Sequence, residues 1–128
     1  MDKDKTVEVV RGIVLEKFPA LQGIYLFGSY GTSYMRQDSD IDLAFLQDGK
    51  ADPVRVWNIA QEIARVIGRD VDLVDLNSAS TVFRFQIISE GSRVVTIDNA
   101  ACDAFELMAL SRYYHFNEAR KELIEDFR

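Results

Sequence analysis

The stretch Leu26-Phe27-Gly28-Ser29-Tyr30-Gly31-Thr32-Ser33-Tyr34-Met35-Arg36-Gln37-Asp38-Ser39-Asp40-Ile41-Asp42-Leu43 decides how the rest of the chain is read. Its ends are apolar and its middle is polar and glycine-containing, the pattern of strand, loop and strand. Ile24–Phe27 reads as a short buried strand, Gly28–Ser39 as a loop or single turn, and Asp40–Leu46 as a second strand. Asp40 and Asp42 stand two residues apart, so on a strand both carboxylates leave the same face. Ile41 and Leu43 point the other way, into the core, and hold the pair rigidly. Two carboxylates a few ångströms apart repel unless a cation lies between them. Oxygen-only ligation suits Mg²⁺, which takes one or two carboxylates and completes its shell with water and substrate phosphate.

Gly28-Ser29 follows its strand directly. A glycine lets a phosphate approach the backbone, and a serine hydroxyl with nearby amides can hold a terminal phosphate oxygen. No Gly-Lys-Ser/Thr follows, so this is not a P-loop, and Gly28 and Gly31 lack the spacing of a dinucleotide fingerprint. The pattern Gly-Ser, ten residues, Asp-x-Asp fixes four positions. At about one in twenty per position, chance would supply it in roughly one chain per thousand of this length.

Outward from this segment the chain alternates helix and strand. Val7, Val10, Val14 and Phe18 recur at helical spacing across Lys5 to Phe18, and Pro19 closes that helix. Gly23 releases the first strand, and Gln47–Lys50 is the turn after the second. Asp52-Pro53 is a helix start, an N-cap carboxylate before proline, with Val56, Ala60, Ile63, Ala64 and Ile67 as its buried stripe and Gly68 as its left-handed cap. Val71–Leu76 is a strand. Ser78 or Ser80 caps a helix to Glu90, Gly91 ends it, and Arg93–Ile97 is the fourth strand. From about Asp98 a helix of about twenty-five residues carries Phe105, Met108, Ala109, Phe116, Leu123 and Phe127 on one broad side, roughly twice the usual helix length. Strand–helix–strand crossovers imply a sheet with helices packed on it and some parallel pairs, and the loop joining the first two strands implies an antiparallel or mixed part.

The 128 residues suit a single domain, 1–128, and 48% hydrophobic with 28% charged residues is ordinary globular composition. No run is apolar enough to span a membrane and no apolar signal core follows Met1, so a cytoplasmic protein is expected. A net charge of −6 without a basic face argues against nucleic acid as a direct ligand. The single Cys102 reads as a buried structural thiol. His115, the only histidine, reads as a helix-surface or packed residue, and Asp98 and Asp103 as helix-cap and first-turn charges.

A third carboxylate is expected from a neighbouring strand. Val71–Leu76 offers Asp72 and Asp75, with Asp70 at its edge. Parity puts Asp70 and Asp72 on one face and Asp75 on the other, and does not choose between the first two.

Gly28-Ser29-x10-Asp40-Ile41-Asp42 resembles the signature of the DNA polymerase β-like nucleotidyltransferase superfamily. The segments LFGSYGTSYMRQDSDIDLAFL (26–46) and GRDVDLVDL (68–76) resemble its small prokaryotic branch, the minimal nucleotidyltransferases, and the likeness extends over nearly the whole chain. The resemblance implies an α/β (α+β) fold: a mixed four-stranded sheet with helices packed on it and a long C-terminal helix. It implies that Gly28 and Ser29 bind the triphosphate, that Asp40 and Asp42 hold metal, and that Asp72 is the third carboxylate, ligating metal and facing the acceptor. Two Mg²⁺ ions and ATP as substrate follow from it. The implied reaction is transfer of AMP, with release of pyrophosphate, to a tyrosine hydroxyl of a separate HEPN-type RNase toxin, with which this antitoxin would form a hetero-oligomer. The residues from 98 onward are the expected partner surface. Many relatives carry alanine, arginine and glycine where this chain has Gly31-Thr32-Ser33, and Arg36 is the nearby cation that could replace the arginine. The toxin's own signature, an arginine four to six residues before a histidine, is absent, because Arg112 precedes His115 too closely. Two other functions fit less well. A small-molecule nucleotidyltransferase usually carries an extra helical domain for its acceptor. A binding-only antitoxin would keep three clustered carboxylates at a cost in stability.

Overall fold

Asp2 and Asp52 start the first two helices in the same way, each carboxylate accepting a backbone N–H of the first turn (Lys5 N at 2.8 Å, Val54 N at 3.0 Å). In the computed structural model, which describes residues 2–28, 30 and 40–126, these helices are α1 (Lys3–Lys17) and α2 (Pro53–Ile67). The cap at Asp2 draws the start of α1 two residues ahead of the expected Lys5. Gly68, at φ 78°, ends α2 in the left-handed conformation anticipated for it. The other elements are β1 (Leu21–Phe27), β2 (Ile41–Gln47), β3 (Val71–Asp75), α3 (Thr81–Glu90), β4 (Ser92–Thr96) and α4 (Asn99–Asp126). Ser80, not Ser78, caps α3, its hydroxyl accepting from Phe83 N at 3.2 Å. Asp98 caps α4, accepting from Ala101 N at 3.0 Å.

The strands lie in the order β3-β2-β1-β4. β1 is antiparallel to both β2 and β4, whereas β2 and β3 run parallel across the α2 crossover, giving the expected mixed sheet. Both faces are covered. Ile24, Leu26, Ile41, Leu43, Phe45 and Leu73 pack with Val10 and Val14 of α1 and Ile59 and Ile63 of α2. Tyr25, Ala44 and Leu46 pack with Ile87 of α3 and Cys102, Phe105 and Ala109 of α4.

Two expectations need correction. Gly23 lies inside β1, paired with Leu46 and Thr96, and does not precede the strand. Its lack of a side chain serves packing: a Cβ there would stand 2.5 Å from Cys102 Sγ, so the glycine lets α4 lie close on the sheet. Phe116 and Leu123 continue the side of α4 that buries Phe105 and Ala109, but both are exposed. The reason is length. At 28 residues the helix is about 42 Å long, and its last buried residue is Ala109. Phe127 lies outside the described residues.

A polar cluster fastens the start of α4. Buried Tyr25 donates its hydroxyl to Glu106 at 2.9 Å. Arg93 donates to Asn99 at 2.8 Å, to Asp103 at 2.6 Å and to Glu106. Burial, then the Glu106 bond, raise the Tyr25 phenol, and burial raises the Cys102 thiol. Asp103 is therefore an ion-pair partner and not the expected first-turn charge, because α4 begins at Asn99 and no acidic residue falls in its first turn.

Candidate active site

The parallel register of β2 and β3 sets Asp42 directly opposite Asp72, and the antiparallel register of β1 and β2 sets Phe27 opposite Asp42. Phe27, Asp42 and Asp72 thus form a row across three strands, with Gly28 following at the β1 end. Adjacent strands are about 4.8 Å apart, so the row spans roughly 10 Å. Asp40 stands just before β2 and is exposed. Asp72 is also exposed, while Asp42 is half-buried.

Asp42 bears the electrostatic load of this row. Burial raises its carboxyl above the usual range, and the neighbouring charges of Asp72 and then Asp40 raise it further. Gly28 leaves room for it. At φ 73° this residue occupies the left-handed region, and a Cβ built there would lie 2.2 Å from Asp42 Oδ2. The glycine therefore permits both a strained turn and the placement of the Asp42 carboxylate. Among the described residues no three His, Cys, Asp or Glu side chains converge into a ready metal cage. Asp40, Asp42 and Asp72 form an open set of hard oxygen donors in mutual repulsion. Such a set fits a divalent ion that keeps water and phosphate in its shell better than one held entirely by protein.

The two other aspartates of the third strand separate cleanly. Asp70 precedes β3 and is exposed, and its carbonyl accepts from Ile41 N at 2.9 Å. Asp75 is buried on the opposite face from Asp72, as parity requires, and both its oxygens accept structural hydrogen bonds. Oδ2 takes bonds from Ala51 N (2.9 Å) and Ser78 Oγ (3.0 Å), and Oδ1 takes one from Asn77 N (3.0 Å). Ser29, the departures at Thr32 and Ser33, and Arg36 lie outside the described residues.

Sequence reasoning passed over three neighbours. Tyr30 is buried, with its hydroxyl 3.0 Å from Thr6 Oγ1, and the Arg69 guanidinium lies 5.3 Å from its ring centroid. This ties Tyr30 to α1. Phe27 meets Phe83 of α3 edge-on at 5.9 Å, walling the acidic row on that side. Trp57 lies off the buried stripe of α2 and is 64% exposed. An aromatic residue out of phase with its helix stripe was the available signal for it.

The chain is similar in sequence and fold to known proteins. A family model described as polymerase beta, nucleotidyltransferase, matches residues 13–100. Protein adenylyltransferase MntA of Shewanella oneidensis is 35% identical over 126 residues, 98% of this chain and 87% of that protein. MntA of Aphanizomenon flos-aquae is 25% identical over 142 residues, covering 98% and 95%. A crystal structure of a toxin-antitoxin with AMP-PNP superposes with a TM-score of 0.84 at 34% identity, covering 98% of each chain. The structure of a tri-AMPylated Shewanella oneidensis HEPN toxin in complex with MNT antitoxin gives 0.81 at 34% identity and 95% of each chain.

Proposed function

The chain belongs to the polymerase β nucleotidyltransferase family, and from that premise we propose that it is an antitoxin-type protein adenylyltransferase. It moves AMP from ATP to a tyrosine hydroxyl of a HEPN-type RNase toxin, in the cytoplasm and within a complex of the two proteins. The carrying observation is the acidic row beside Gly28, in a chain that matches protein adenylyltransferase MntA over almost its whole length.

The roles follow from position in the row. Gly28 exposes backbone without a side chain and admits the triphosphate at the β1 end, with Ser29 assigned the adjoining phosphate contact from its place in the sequence. Asp72, exposed at the β3 end, faces the acceptor and takes the phenolic proton as the tyrosine oxygen bonds to the α-phosphorus. The bond from that phosphorus to the oxygen bridging toward the β-phosphate breaks, and pyrophosphate leaves with the electron pair. Asp40, Asp42 and Asp72 would hold two Mg²⁺ ions, which when bound would offset the phosphate charge and the charge on the leaving group. Asp42 sits between the other two carboxylates, so its position decides whether the set works as a unit.

ATP labelled in its α-phosphate, incubated with the toxin and Mg²⁺, tests this. The toxin should acquire the label, a chelator should prevent it, and ATP labelled in the γ-phosphate should transfer nothing. Transfer of the γ-label alone, or of neither, would overturn the assignment.

A further inference from the structure

The buried residues of α1 are Thr6, Val10 and Val14, one turn apart from each other. An apolar side chain at the first of them would pack without a hydroxyl to satisfy. The Thr6 hydroxyl instead shares a buried hydrogen bond with that of Tyr30, at 3.0 Å. Tyr30 belongs to the core cluster that holds Val10, Val14, Ile41 and Leu43. Strand alternation aims Ile41 and Leu43 away from the face of Asp42 and Asp72, so Tyr30 lies on the opposite side of the sheet from those carboxylates.

A second contact meets the same ring. The Arg69 guanidinium, 5.3 Å from its centroid, is within cation–π reach. The ring therefore joins the two ends of the acidic row from behind. Tyr30 follows Gly28 by two residues, and Arg69 precedes Asp72 by three, in the connection from α2 into β3. Asp70, next to Arg69, is itself fixed to the start of β2 through its carbonyl and Ile41 N.

We propose that Tyr30 is a positioning residue for AMP transfer, a clasp between Thr6 and Arg69 that sets the Gly28 end of the row against the Asp72 end. The inference rests on the function proposed above. Gly28 has no side chain to anchor it, yet its left-handed backbone is what leaves Asp42 its place. Among the described residues the next side chain along the chain is Tyr30, and it is bonded to a helix. A misplacement of about 1 Å in a reacting constellation costs on the order of a hundredfold in rate, and releasing one bond of the clasp should cost about tenfold.

Deleting hydroxyls separates positioning from packing. Tyr30→Phe and Thr6→Val keep the buried volume and should each lower kcat for AMP transfer by about tenfold, with KM for the toxin unchanged. Thr6→Ser keeps the hydroxyl and should transfer at nearly the normal rate. Tyr25→Phe removes a different buried hydroxyl bond, the one to Glu106, and should lose stability without losing kcat. The double variant Thr6→Val/Tyr30→Phe leaves neither hydroxyl unpaired. Its melting temperature should return close to that of the unaltered chain while kcat stays low. NMR order parameters at Gly28 and Tyr30 should fall in the same variants. A double variant that melts normally and transfers at the normal rate would make the bond structural and overturn the inference, with the function left standing. Unchanged order parameters beside a lowered kcat would overturn it too. An unaltered chain that transfers nothing would overturn the function, and the clasp would then stand or fall on the order parameters.

Discussion

Replacing Gly28 by alanine separates the two reasons for a glycine at that position. Gly28 and Gly68 share nearly the same backbone conformation, φ 73° and 78°, so an alanine at either should cost about 1–2 kcal/mol from the left-handed conformation alone. In a domain of this size that corresponds to a melting temperature lower by roughly 4–8 °C. The surroundings differ. A Cβ at Gly68 meets nothing within 4 Å, whereas one at Gly28 would be 2.2 Å from Asp42 Oδ2 and 3.1 Å from its Cγ. Ordinary nonbonded separation is about 3.5 Å, so the carboxylate must swing aside by roughly 1 Å. A misplacement of that size in a reacting constellation costs on the order of a hundredfold in rate. Thermal melts and AMP-transfer rates on both variants should therefore show similar losses of stability, with transfer near normal in Gly68→Ala and about a hundredfold down in Gly28→Ala. Equal transfer by the two variants, both folded, would refute the claim that Gly28 positions Asp42.

Asp72→Asn should lower turnover by about a hundredfold or more while leaving most ATP binding by calorimetry, because the role proposed for Asp72 lies on the acceptor side of the transition state. Asp75→Asn should do the reverse, costing about 2–3 kcal/mol of stability through three buried hydrogen bonds, with transfer per folded molecule retained. Stability should fall at alkaline pH. The folded state raises both the Cys102 thiol and the Tyr25 phenol, so their full contribution is present below the unfolded values, near 8.5 and 10, and is lost as pH rises beyond them. Melting curves from pH 7 to 10.5 should show that decline, and Tyr25→Phe should flatten its upper part.

Local signals in the sequence located the elements well. Asp52-Pro53 and Gly68 bracket α2 because capping and left-handed turns depend on adjacent residues only. The pairing of Asp42 with Asp72 was not legible in the same way. Parity names the face a side chain leaves, but register between parallel strands is set by the crossover helix and the packing beneath it, so parity leaves Asp70 and Asp72 equivalent, and only the family resemblance singled out Asp72 in the sequence. Gly23 and Gly28 illustrate the same limit. Each is a glycine because of a distant partner, Cys102 in one case and Asp42 in the other, and no local pattern encodes that approach. The length of α4 was foreseen. That Phe116 and Leu123 leave the domain was not, since helical periodicity continues unchanged past the point where the sheet ends.

Mass spectrometry of the HEPN-type toxin, purified from cells that carry either the unaltered chain or its Asp42→Asn variant, bears most directly on the central claim. The account predicts one or more AMP-sized mass increments on toxin tyrosine in the first case and none in the second, with RNase activity suppressed only where the increment is found. Toxin that is silenced by both forms and carries no added mass in either would contradict it.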